Sequence, residues 1–173
     1  EINAINEQTA GLGNLKAAAK AAADDLDYAE VENLLSMVHE TELNIAAQTA
    51  ELRADNALLR GRAEDAYRLL SAAAGSFASV DEVESARRAI RVYYLKLRGH
   101  GLRYGSQGLV LSVELVRPHL TITLKAREPE LWGDGQNNIA IALQEQGSRL
   151  DGSDGTQLLS AAATAYRAAL EVG

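Results

Sequence analysis

Apolar positions along the chain recur at helical spacing and fall into four stretches, each read as a pair of helices. Residues 1–11 are polar and lack that period, so a frayed lead-in or a short capping helix is expected there. The run LGNLKAAAKAAAD favours helix from Leu12 to Asp24 and sets Lys16 and Lys20 on one face. Asp27 reads as the N-cap of a helix carrying Tyr28, Val31, Leu34, Leu35 and Val38, which completes a pair over about 12–41. The second pair, 43–76, has a helix from Leu43 to Leu59, a turn at Gly61, and a partner helix with Ala66, Leu69, Leu70 and Ala73 inward. Laid on 28–39, residues 63–74 match at an offset of 35, with Leu34-Leu35-Ser36 over Leu69-Leu70-Ser71.

The third pair, 80–126, opens on Ser79-Val80-Asp81-Glu82, read as a capping box. Its first helix carries Val83, Ala86, Ala89, Ile90, Tyr93, Tyr94 and Leu97 to about Arg98. GHGLRYGSQG at 99–108 reads as a loop, and a second helix follows with Leu109, Val113, Val116, Leu120 and Leu124 inward. Pro118 should kink that helix or start a new segment. The β-branched residues of this run also suit a strand; its length and helical stripe favour helix. The fourth pair, 131–172, sets Trp132, Ile139, Ala140, Leu143 and Gly147 against Ala162, Tyr166, Ala169 and Leu170, with SRLDGSDGTQ as a long intervening loop.

Helix pairs that each hide one face call for neighbours of the same kind, the logic of a solenoid. WGDGQNNIAIALQEQG followed by AAATAYRAALEV resembles a tetratricopeptide repeat of the bacterial type, most clearly over 132–172. The resemblance implies an all-α, right-handed superhelix of about four antiparallel pairs over 12–173. It also implies a protein-interaction role, with a partner's peptide or helix held in a concave groove lined by the first helix of each pair. Carried over by register, the groove residues are Lys16, Lys20, Gln48, Glu51, Asp55, Tyr93, Lys96, Asn137, Ile141, Gln144 and Glu145. Asn137 and Asn138 match the paired Asn of such repeats, where the amide can serve a peptide backbone or a bond between repeats.

Charge narrows the partners. A net charge of −7 argues against general binding of nucleic acid or of an anionic membrane. Against that background Arg87, Arg88, Arg91, Lys96, Arg98 and Arg103 form a local basic patch beside Tyr93, Tyr94 and Tyr104. It is read either as arginines paired with acids of adjacent repeats or as a contact for an anion or an acidic peptide.

The absence of cysteine excludes thiolate metal sites and fits a reducing, cytoplasmic setting. No apolar run nears the ~20 residues that span a bilayer. The chain stops just after an apolar helix, which is read as the mark of a fragment of a longer protein. His39-Glu40-Thr41-Glu42-Leu43 lacks the second histidine of a zinc-peptidase helix, and GHGLRYG lacks the spacing of a phosphate loop. Asp151 to Gly155 departs from a calcium loop. No enzyme activity, cofactor or metal is expected. The alternatives to partner binding are a structural or oligomerisation segment, self-associating through its C-terminal end, and a helical sensor holding a small ligand.

Overall fold

The computed structural model describes residues 2–172 and is all-helical over them, with no strand among the described residues. Its helices are α1 (Ile2–Asp24), α2 (Tyr28–Leu59), α3 (Ala63–Ala78), α4 (Glu82–Arg88), α5 (Tyr94–Tyr104), α6 (Gln107–Val116), α7 (Ile122–Arg127), α8 (Pro129–Gly147) and α9 (Gly152–Leu170). They form two compact units, divided between Leu52 and Arg53.

In the first unit, residues 2–11 are continuous with α1 and form no separate lead-in, because nothing at Gly11 or Gly13 interrupts the turn. The helix ends with Leu26 in the left-handed region at φ 60. Leu26 N–H bonds to Ala23 O and Asp27 N–H to Ala22 O, the bond pair of a Schellman ending with leucine where glycine is usual. Asp27 caps the next helix as expected, its carboxylate accepting from Glu30 N–H at 3.1 Å.

The expected break near 41–43 is absent. α2 runs 32 residues without glycine or proline, and Thr41, Asn44 and Thr49 bond back to carbonyls four residues earlier without ending it. The 35-residue offset therefore sets the start of a long helix against the start of a shorter one. The turn at Gly61 is present, with φ 71 and the Schellman bonds Gly61 N–H to Leu58 O and Arg62 N–H to Ala57 O.

In the second unit, three sequence-based boundaries move. Asp81, not Ser79, caps α4: its carboxylate accepts from Val83 N–H at 2.9 Å, while Ser79 Oγ donates to Ser76 O and finishes α3. A π turn over Ala89–Tyr93 joins α4 to α5. The glycine-rich stretch 99–108 is helical except at Gly105-Ser106. Two of its glycines serve a helix crossing instead. A Cβ on Gly108 would lie 2.5 Å from Leu97 O and 2.6 Å from Gly101 N, so α5 and α6 touch backbone to backbone there. The loop before α9 shrinks to Ser148–Asp151 through a second crossing of this kind at Gly147 and Gly155. Pro118 does start a new segment: α6 stops at Val116, a 3-10 turn covers Arg117–His119, and Thr121 caps α7 through Leu124 N–H at 3.0 Å.

The core of this unit gathers Val83, Ala86, Ile90 and Tyr94 with Val113 and Val116 of α6 and Leu124 of α7. Trp132, Ile139 and Leu143 of α8 join them, with Ala162 and Ala165 of α9. The expected α8–α9 pairing through Ala140 and Ala162 is therefore present, but Leu170 is exposed.

Candidate functional site

The long-range side-chain bonds that join α2 to α5, α3 to α6, and the π turn and α5 to α8 fall within a narrow range of sequence separation. Lys96 meets Asp55 at 41 residues, and Gln107 meets Glu64 at 43. Arg91 meets Asp134 at 43, Tyr94 meets Asn138 at 44, and Arg98 meets Glu145 at 47. Because the separation barely changes as both chains advance, α5 runs parallel to α8. Arg149 extends the series, donating to Gly101 O at 3.0 Å.

The brace centres on the π turn. Asn138 Nδ2 donates to Ile90 O at 2.8 Å, and Tyr94 Oη donates to Asn138 O at 2.8 Å. A widened turn weakens the regular i→i−4 ladder, and the Asn138 amide supplies a side-chain donor to one of its carbonyls. Of the two roles open to Asn138, the bond between helices is the one formed. Gly135 permits the approach, since a Cβ there would meet Ile90 Cδ1 at 3.1 Å. Burial raises the pKa of the Tyr94 phenol above its usual range, so it stays a donor.

These bonds decide the basic patch. Arg87 and Arg88 both bond Glu84 at 2.9 Å, and Arg88 also lies over the Phe77 ring, 4.1 Å from its centroid. Arg91 holds Asp134 at 2.6 Å, and Lys96 holds both oxygens of Asp55 at 2.8 Å. Arg98 grips Glu145 with two nitrogens, and that carboxylate raises the guanidinium pKa further. Arg103 is exposed and has no ion pair among the described residues. Arg91, Lys96 and Arg98 are thus cross-braces between helices, while Arg87 and Arg88 pair within α4.

The groove residues divide between the units. In the first, Lys16 pairs with Glu42 at 2.7 Å and lowers its pKa through that bond; Lys20 is exposed, and Gln48 and Glu51 are half-buried. In the second, Asp55 and Lys96 meet each other, Glu145 binds Arg98, Ile141 is half-buried, and Asn137 and Gln144 are exposed. Gln144 Oε1 accepts from Tyr166 Oη at 2.8 Å. Tyr93 is the correction: it is fully buried and lines no surface. The π turn inserts an extra residue into the helical count, so the register carried through it lands on the wrong side.

An exposed apolar stripe instead runs from the π turn into α5 through Val92, Leu95 and Leu102, with half-buried Gly99 between the last two, spaced three, four and three apart. Val92 is 41% and Leu95 55% exposed, high for large apolar side chains on a braced helix. The Lys96–Asp55 pair flanks the stripe on one side, and Arg91–Asp134 and Arg98–Glu145 flank it on the other. Beside Gly99 a cleft of about 350 Å3 opens, lined by Asp55, Leu58, Leu59, Lys96 and Tyr104 among others. Sequence reasoning missed these residues, although the i, i+3, i+7, i+10 spacing of Val92, Leu95, Gly99 and Leu102 carries the signal.

No group of three or more His, Asp or Glu among the described residues is arranged to hold a metal ion. No described helix is long and apolar enough to cross a membrane. Comparison with protein-family models, curated proteins and solved structures finds no match for the chain.

Proposed function

We propose that the chain is a protein-interaction module, a tetratricopeptide-like array that holds a peptide or helix of a partner against the face of α5 and α8. The observation that carries this reading is the exposed stripe of Val92, Leu95 and Leu102 between two rows of ion pairs. The ion pairs hold the parallel helices in register, so the face exists before a ligand arrives and little ordering entropy is spent on binding. The stripe supplies apolar contact, and Asn137 and Gln144 on α8 offer amides to a peptide backbone. The bonds joining α2 to α5, α3 to α6 and α5 to α8 span 41–48 residues, so a repeat in such an array would be longer than the ~34 residues of the family.

The test is capture of a partner by the 173-residue chain from lysate of its own source, beside a Val92→Asp/Leu95→Asp variant with an unchanged helical spectrum. Loss of one partner from the variant supports the reading; equal capture by both removes it. A second reading, self-association, is favoured by the exposure of Leu170 at the end of α9. Sedimentation at rising concentration, with Leu170→Asp as control, separates it from ligand binding.

A further inference from the structure

Most arginines of the predicted basic patch each have a carboxylate partner, whereas the three at the α2–α3 hairpin, Arg53, Arg62 and Arg68, share one. There Arg53 and Asn56 of α2 face Asp65, Arg68 and Leu69 of α3 across a cleft of about 470 Å3, with Arg62 at the turn. Three guanidiniums and one carboxylate line it, leaving two positive charges in excess within a chain of net −7. Asp65 is shared, bonding Arg62 at 3.3 Å and also Arg68. The neighbouring acid, Glu64, is engaged by Gln107 at 2.8 Å. Arg53 is exposed and has no ion pair among the described residues. Buried Ala57, half-buried Leu69 and exposed Ala72 supply the apolar part of the lining.

We propose that this cleft is an anion site for a phosphate monoester. A monoester carries close to two negative charges at neutral pH and three acceptor oxygens, which matches both the excess charge and the planar donor forks of arginine. A phosphodiester carries a single charge and leaves half the excess unmet. Asp65 acts as an internal competitor: it occupies donors of Arg62 and Arg68 that the phosphoryl oxygens would take. The site shares no lining residue with the α5 face, so it stands whether or not that face binds a partner.

The competitor gives a test that loss of folding cannot imitate. The arginine Nε–H resonances of the whole chain are followed by NMR during titration with three probes. These are inorganic phosphate, free phosphoserine, and a short alanine-flanked phosphoserine peptide beside its glutamate counterpart. Saturable shifts confined to Arg53, Arg62 and Arg68 are expected, about tenfold weaker for Arg68→Gln and for Arg53→Gln, the factor set by loss of one charge-assisted bond. Asp65→Asn should bind several-fold tighter than the parent. Equal binding of peptide and free phosphoserine identifies a small phosphorylated ligand class, and preference for the peptide identifies a modified protein; both support the site. Three results overturn it: no saturable shift at millimolar probe, equal binding of the glutamate peptide, or weaker binding by Asp65→Asn.

Discussion

Gly101 and Gly99 stand two residues apart in α5, and the structure gives them opposite responses to the same methyl group. In a helix interior, Gly→Ala ordinarily gains about 1 kcal/mol from propensity alone. At Gly99 nothing lies within 4 Å of the new Cβ, so Gly99→Ala should realise that gain. At Gly101 the Cβ would sit 2.8 Å from the Gly108 carbonyl carbon and 2.9 Å from Leu109 Cγ, and nearer still to the Leu109 amide nitrogen. Backbone cannot rotate away as a side chain can, so α6 must withdraw. A gap of roughly 0.5–1 Å forfeits a quarter to a half of each dispersion contact it opens. α6 carries the buried Leu109, Val113 and Val116, so the loss falls on the core. Overpacking of this kind costs about 1–3 kcal/mol. The propensity gain is common to both variants, and their difference in stability isolates the clash. Urea unfolding followed by fluorescence of Trp132, the chain's single tryptophan and a member of the same core, reads it directly. Gly101→Ala as stable as Gly99→Ala would refute the backbone crossing of α5 and α6.

Four further outcomes follow from particular bonds. Asn138→Ala removes the donor to Ile90 O and should cost about 1–2 kcal/mol in the same unfolding assay, whereas a loss below ~0.5 kcal/mol would deny the brace. Tyr94 has its folded pKa raised, so its contribution is full below about pH 10 and is lost as pH rises beyond it; Tyr94→Phe should flatten that alkaline loss in a stability–pH series. Burial lowers the pKa of His119, so its neutral form favours folding above about pH 6.5 and stability falls on acidification below it, a decline that His119→Gln should lessen. Leu26→Gly relieves a left-handed leucine that is largely exposed and should raise the melting of the first unit, the relief of roughly 1–2 kcal/mol being partly offset by the entropy of glycine when unfolded.

Helix positions and turn chemistry were legible where one residue decides them. Asp27, Gly61 and Pro118 acted as their side chains require, and the amphipathic halves of α8 and α9 paired through Ala140 and Ala162. The differences arise where local composition and period carry no mark of the packing that decides the structure. Four glycines in 99–108 read as a loop, but two of them are needed where α5 and α6 cross, which composition cannot distinguish. The repeat offset predicts a break near 41–43, but no glycine or proline stands within α2 to make one. The site suffered most, since a π turn leaves no mark in the hydrophobic period and moved Tyr93 from the expected face into the core. The basic patch was visible as sequence, but its neutralisation was not, because its long-range acids, Asp55, Asp134 and Glu145, lie 41–47 residues away.

The binding face can be tested most directly by placing a photo-reactive benzoylphenylalanine at Leu95, and separately at the exposed Leu159 of α9, and irradiating each chain in lysate of its own source. One covalent adduct with a partner protein is expected from position 95, absent when Val92→Asp is added and absent from position 159. Adducts of equal yield from both positions, or from neither, would contradict it.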